Sequence, residues 1–538
     1  MTATLDLRTF RAVSVSGFIG VQTNIIMPNP TWQAAMRKRG VNPSDVYLDG
    51  WAFGDIPEPG VDPSTTRLTR ALCFYRGSLP NPYDRPIEGV VVTVDMNSAQ
   101  VVNVADTGIR PVNTTTSGDS ATTRAAPKPL IVSHPDGPSF KLDGLAVTWQ
   151  KWHFRMGYSW REGLVLYQIG YEDKPGEVRS IIYRLSLNEI FVPYAIPDPN
   201  WVWRAAFDIG EYNLGQYTEP LQAGIDVPEN AVFFDLVGPS DQGSAGGITE
   251  LPSSIAVYER DAGVLWDRTD PSSFARDARG ARELVVTIAY VNGNYTYASE
   301  YVFRQDGSIG CYVIANGTTL NRGFTPPDQD SDYDTVVNKN IAAPIHQHFF
   351  NFRIDFDIDG TQNTAVESNL ESVSSPYGNA FTQNETPLTQ EQYRDLNAAT
   401  YRRWTVQSAT RLNALGTPTG YGLEPADTTV PYAASNYPPL VRAPWATHPF
   451  WLTRYEDGEL YASGAYPNQG PADDGIQAYA AGHQPAVAND VVIWYTAAFT
   501  HLPSVENYPV MSSERIGFQL EPDGFFDRDP ALDVPPPS

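Results

Sequence analysis

Residues 346–360 read His346-Gln347-His348-Phe349-Phe350-Asn351-Phe352-Arg353-Ile354-Asp355-Phe356-Asp357-Ile358-Asp359-Gly360. Strand periodicity places alternate side chains on opposite faces. His346, His348, Phe350, Phe352, Ile354, Phe356 and Ile358 then share one face, while Asp355, Asp357 and Asp359 take the other. Two imidazoles about 6.5–7 Å apart at the backbone can close on one metal ion at the edge of an apolar core. They can equally be a hydrogen-bonded or surface pair. Successive carboxylates are hard oxygen donors that suit calcium or a similar ion, or else form a solvated strand face.

The same strand-and-turn grammar extends outward through LVLYQIGYED (164–173), ELVVTIAYVNGNYTYASEYVF (283–303), DGSIGCYVIANG (306–317) and NDVVIWYTAAF (489–499). Residues 128–538 therefore read as a mainly β domain, a large antiparallel β-sandwich without a short repeat. One helix is expected within it, over LTQEQYRDLNAATYRRW (388–404). Upstream, residues 29–112 read as a small α+β domain. Its helix NPTWQAAMRKRGV takes Asn29 as cap, Pro30 in the first turn and Gly40 as the stop. Strands follow at RALCFYRG and IEGVVVTVDMNSAQVVNVADTG. Residues 113–127, rich in Thr, Ser and Pro, read as a linker, and residues 1–28 as an atypical N-terminal arm.

Composition narrows the function. The 538 residues carry a formal net charge of -25, which repels nucleic acid and anionic lipid surfaces and permits a cationic small molecule. Cys73 and Cys311 are the only cysteines, so a disulfide framework is excluded. The start MTATLDLRTF has no secretory pattern, and no stretch approaches the roughly 20 apolar residues that span a bilayer. The expectation is a soluble, cytoplasmic protein. Gly-rich phosphate loops, G-x-S-x-G and paired-cysteine zinc spacings are absent from the sequence.

Three further landmarks carry chemistry. Asn294-Tyr295-Thr296-Tyr297 closes a strand-like run; His501 lies in TAAFTHLPSVENYPVM; Asp208 sits among apolar residues in AAFDIGEYNLGQY. Such an aspartate is either a base of raised pKa or a strand-end residue satisfied by backbone amides. Together with YDRPIEGVVVTVD, VADTGIRPV, YRLSLNEIFVPY, LYASGAYPNQ and GFFDRDPALDVP, these stretches resemble the copper amine oxidases along nearly the whole chain.

The resemblance implies that Tyr295 is the precursor of a topaquinone cofactor and that His346, His348 and His501 bind copper. It implies Asp208 as the catalytic base, Tyr194 as a hydrogen-bond partner of the quinone and Asn294 as the residue that orients it. Asp355, the Phe356 carbonyl, Asp357, Asp490 and the Val491 carbonyl match a peripheral calcium-type site. A primary amine and molecular oxygen are then the substrates, aldehyde, ammonia and hydrogen peroxide the products, and a homodimer the expected assembly. Two alternatives stand beside this: a zinc-dependent hydrolase using the same histidines, and a catalytically impaired relative serving as a binding or structural protein.

The chain departs from the family in three places. Thr296 replaces an acid that follows the quinone tyrosine; Val227 and Ala256 occupy the positions of the family disulfide; and Ala206 stands where several members have a bulky aromatic gate. The last implies a substrate channel open to arylalkyl and small aliphatic amines, walled by Phe207 and DPNWVWR (198–204). It disfavours diamines, whose second ammonium would be desolvated without a partner.

Overall fold

The computed structural model describes residues 19–536 apart from 55, 79–80, 115–122, 241–246, 326–331, 427 and 471–472. The N-terminal unit is an antiparallel sheet in the order β1 (Val46–Ala52), β2 (Leu68–Tyr75), β3 (Pro86–Asp95), β4 (Gln100–Asp106), joined by helices α1 (Ile19–Ile26) and α2 (Pro30–Lys38). Helix α2 begins as its sequence dictates: the Asn29 side chain accepts the Trp32 N–H, and Pro30 occupies the first turn. Gly40, at φ +71°, lets the chain leave in the left-handed region.

Trp32 and Met36 of α2 bury against Leu48, Ala71, Val90 and Val92. Ile26 of α1 joins that core, so Ile19–Ile26 packs with this unit rather than forming part of a separate arm. Residues 1–18 of the expected arm and 115–122 of the expected linker lie outside the described residues. The opposite face of the small sheet is buried too. Trp51, Leu72, Phe74 and Tyr83 belong to the main core that runs through the sandwich.

Two antiparallel sheets form that sandwich. The ten-stranded sheet is centred on His346–Phe356, flanked by Val491–His501 and Glu177–Pro193. The eleven-stranded sheet contains Arg276–Asn292, Tyr295–Arg304 and Ile309–Gly317 in succession. Their inner faces meet in ring contacts such as Phe352 with Phe518 and the stacked Phe154 with Phe303. Every residue from His346 to Phe356 is buried, because the outer face of this sheet carries a second cluster of Phe191, Phe207, Phe349, Trp445 and Trp494.

Two readings need correction. Residues 388–404 form no α-helix: Gln392–Arg394 pairs with Phe450–Leu452 at the sheet edge, and Ala398–Thr400 is a single 3-10 turn ending at Tyr401 with φ +50°. Edge pairing and burial of Leu388 and Trp404 in the sandwich core outweigh the local helical preference. Asp359 also leaves the carboxylate row. The strand ends at Phe356, and Asp359, at φ +52°, turns back to pair with Arg179 at 2.6 Å and Arg411 at 3.2 Å.

Candidate active site

Three pieces of sheet geometry assemble the site. His346 and His348 share a strand face, and His501 lies directly across the ladder from His346. Nitrogen atoms of the three imidazoles all fall within 4.8 Å of one another. His346 Nδ1 is engaged by the Pro344 carbonyl at 2.9 Å, which leaves Nε2 facing the Tyr295 hydroxyl at 2.7 Å. His348 Nε2 and His501 Nδ1 are buried without a hydrogen-bond partner.

Burial pushes the His346 pKa down to about 3, reinforced by the neighbouring His501, and lowers those of His348 and His501 in the same direction. All three are therefore neutral, the form that ligates metal. The carbonyl on His346 Nδ1 fixes its ring, as outer partners of metal-binding histidines do.

Tyr295 comes from the opposite sheet. A two-residue loop, Gly293-Asn294, joins Asn292 to Tyr295, with Gly293 at φ +59° as such hairpins require. The turn places Asn292, Asn294 and Tyr295 around one cavity of about 240 Å³. The Asn294 amide is held by the Thr318 carbonyl at 2.7 Å. Tyr194 continues the central ladder by a bridge to His346 and stacks on its ring at 5.1 Å. Thr296 alternates to the face away from Tyr295 and Tyr297; the acids whose charges reach Tyr295 are Glu514 and Asp208.

Asp208 opens the short helix α3 (Asp208–Tyr212), which follows Ala205–Phe207 paired with Phe191–Pro193. Glu189 accepts the N–H groups of Ile209 and Gly210, both at 3.0 Å, and so pins this turn. Glycine suits position 210, where a Cβ would stand 2.4 Å from Pro467 Cγ and 2.5 Å from the Glu189 carboxylate. Asp208 is buried, and Asn292 Nδ2 donates to it at 2.6 Å. Burial raises its pKa well above the carboxylate range, and the charge of Glu189 raises it further.

Ala206 lines the same cavity. The walls differ from expectation. Phe207 turns into the outer cluster, and Trp201 and Trp203 stay behind the cavity; its lining comes instead from Tyr47, Trp51, Tyr83, Tyr212 and Tyr217. Sequence reasoning also missed Asn292 and Tyr297. Tyr297 shares a strand face with Tyr295, lies 3.3 Å from His348 Nδ1 and favours the charged form of Asp208, so it links the histidines to the acid. Its spacing of two from Tyr295 was the available signal.

Elsewhere, burial raises the pKa values of Asp357 and Asp490 to about 6; the charge of Asp355 adds to the rise at Asp357, and those of Asp355 and Asp357 add to it at Asp490. Arg353 contacts Asp355 at 3.1 Å, and Asp490 Oδ1 is buried without a partner. Val227 and Ala256 pack together in an apolar cluster, while Cys73 and Cys311 are buried and free. No described helix is long and apolar enough to cross a membrane.

Comparison with known proteins identifies the family. Residues 141–538 match the copper amine oxidase enzyme domain, and residues 21–122 match the copper amine oxidase N3 domain. Histamine oxidase of Arthrobacter globiformis is 35% identical over 528 residues, covering 96% of this chain and 76% of that protein. Peroxisomal copper-containing diamine oxidase 1 of Nicotiana tabacum is 34% identical over 539 residues, covering 96% and 68%. A copper-containing benzylamine oxidase of Hansenula polymorpha superposes with a TM-score of 0.87 at 28% identity, covering 96% of this chain and 83% of that one. These matches do not favour the hydrolase or the inactive relative: the chain belongs to the copper amine oxidases and is an enzyme of oxidative amine deamination.

Proposed function

We propose that the cavity beside Tyr295 is where a primary amine is oxidised, with His346 Nε2, His348 Nε2 and His501 Nδ1 holding copper and Tyr295 maturing to topaquinone. The observation that carries this reading is the pair of orphaned imidazole nitrogens in a dry triad whose third member faces the Tyr295 hydroxyl. Neutral nitrogen donors suit copper, and an unpaired buried nitrogen is costly unless something binds it. When bound, copper and the quinone supply an oxidising carbonyl that takes electrons from the amine and returns them to oxygen.

The chain's own residues do the rest. Asp208 removes the α-proton of the amine; its raised pKa matches it to a carbon acid activated by an adjacent carbonyl chemistry. Asn292 and the Glu189-pinned turn keep that carboxylate in place. Tyr194 and Asn294, flanking Tyr295 in the cavity lining, hold the cofactor's orientation. Burial of the whole group excludes bulk water, which strengthens each of these interactions.

Asp355, Asp357 and Asp490, with the carbonyls of Phe356 and Val491, form the proposed calcium-type site; the mutual repulsion of the acids and the orphaned Asp490 oxygen support a cation there. The homodimer rests on the family resemblance. Free, buried Cys73 and Cys311 support residence in a reducing compartment such as the cytoplasm.

Phenylhydrazine tests the reading, since it labels only a reactive carbonyl. Protein matured aerobically with copper should take up the label on the peptide that contains Tyr295. Unlabelled protein, or a label elsewhere, overturns the assignment.

A further inference from the structure

The motif LYASGAYPNQ (460–469) carries no reacting group, yet it bridges the small sheet and the turn that holds Asp208. Side chains pin its near end to the sandwich. Asn188 accepts the Ala462 N–H at 2.6 Å, and Arg161 donates to the carbonyls of Gly464 at 2.8 Å and Ala465 at 2.7 Å. Arg442 donates to the Pro467 carbonyl and pairs with Glu211 of α3 at 3.4 Å. The far end belongs to the small domain. Gln469 Oε1 accepts the Leu68 N–H at 2.8 Å, where β2 begins, and Gln469 Nε2 donates to the carbonyls of Pro63 at 2.8 Å and Thr66 at 2.9 Å. The amide oxygen and both amide protons are thereby spent on one short stretch of backbone.

Gln469 stands at φ +53°, a left-handed conformation that a glutamine keeps only where its surroundings hold it. At Gly470 a Cβ would stand 1.9 Å from the Tyr466 carbonyl oxygen, so the chain turns tightly here. The turn and the three hydrogen bonds together fix where Pro467 stands. Pro467 is buried, and its ring rests on Gly210, two residues beyond Asp208. The other end of α3 is tied to the small sheet as well, because the Tyr212 hydroxyl accepts the Ala52 N–H at 3.1 Å. A five-residue helix does not hold its own place. The position of Asp208 is therefore set by what α3 leans on: Glu189 beneath the turn, Pro467 against Gly210 and Ala52 at the end.

We infer that Gln469 is a positioning residue: by locking its turn to the small sheet it seats Pro467 on Gly210 and so fixes Asp208 for proton abstraction. This rests on the oxidase reading above. Gln469 does not line the cavity and acts through the backbone of α3 alone. The small domain thereby becomes part of the support of the base.

Gln469→Gly removes the three hydrogen bonds while suiting the left-handed backbone, so it tests the side chain and not the strain. Copper content and phenylhydrazine labelling should match wild type. The rate at which benzylamine bleaches the quinone colour should fall roughly tenfold, short of the ~10²-fold that a displacement of about 1 Å can cost, while reoxidation by oxygen stays unchanged. Amide exchange in the peptide covering 208–212 should quicken, and that in 346–356 should not. Pro467→Ala keeps the three hydrogen bonds and removes the ring; it should show the same pattern, and it carries the test alone if Gln469→Gly folds poorly. The double variant should lose little more than either single one, because both act along one path. An unchanged bleaching rate, equal slowing of bleaching and reoxidation, or full additivity of the two losses overturns the role of Gln469 and leaves the oxidase reading standing. Quickened exchange at 208–212 in Gln469→Gly, in a protein whose wild type takes up no phenylhydrazine, supports the clamp and overturns the oxidase reading.

Discussion

The strand His346–Phe356 and the residue that follows it carry metal-type donors at both ends, and the two ends behave differently. At the histidine end three neutral imidazoles converge within 4.8 Å inside an apolar core. At the acidic end the charges of Asp355 and Asp357 reach Asp490 and that of Asp355 reaches Asp357, yet no ligand group of that compactness forms among the described residues. Uncharged donors need no ion to be gathered in a dry site, because their burial cost is that of a few unmade hydrogen bonds. Charged donors repel one another until a cation joins them. On the proposed reading, one end stands ready before a metal arrives and the other would be completed by its ion.

The sharpest test of the pre-built end is Tyr295→Phe. The triad is held by sheet register and by the Pro344 carbonyl, not by the tyrosine hydroxyl, so copper should still bind. Peroxide release from amines should vanish, together with the carbonyl that phenylhydrazine detects. Metal analysis showing loss of copper in this variant would break the idea that the imidazoles stand ready on their own.

Asp208 applies the same rule to an acid buried beside Glu189 and Glu211. Buried without a cation, its carboxyl has a pKa raised by burial and then by the charge of Glu189. Asp208→Asn should slow turnover roughly 10²–10⁴-fold, the range for loss of a general base, while phenylhydrazine labelling persists. In wild type, kcat at saturating amine should fall as pH drops through the Asp208 pKa, above the usual carboxylate range, because the protonated acid cannot accept the α-proton. The stability sign runs the other way. A raised folded pKa stabilises the fold fully below the unfolded value and loses that contribution as pH rises through the folded one. Asp208→Asn should thus melt higher than wild type at neutral pH, and an unchanged turnover rate would remove Asp208 from the role of base.

Legibility in the sequence follows from the range of the interactions. A period of two puts His346 and His348 on one face, and capping chemistry fixes the start of α2; both are local and readable. The place of His501 across from His346 is a matter of ladder register, reached beforehand only through the resemblance. The segment 388–404 misled because its local pattern is helical while its partners, Phe450–Leu452, lie far along the chain.

The smallest expected effect concerns the acidic end. Asp490→Asn removes one of three mutually repelling carboxylates and leaves the side chain's shape. In chelator the variant should therefore melt slightly higher than wild type, by about 1–2 °C, since Asp357 and Asp490 are partly solvated and their repulsion is screened. Calcium should raise the wild-type melting temperature, because an ion that binds only the folded chain stabilises it in proportion to the logarithm of its saturation. The variant should lose most of that rise, having surrendered a charged oxygen ligand. Copper content and phenylhydrazine labelling should stay unchanged, as the histidines are at the far end of the strand. Equal calcium responses in the two proteins would mean that the three acids gather no ion, and that the contrast between the ends of this strand reflects packing alone.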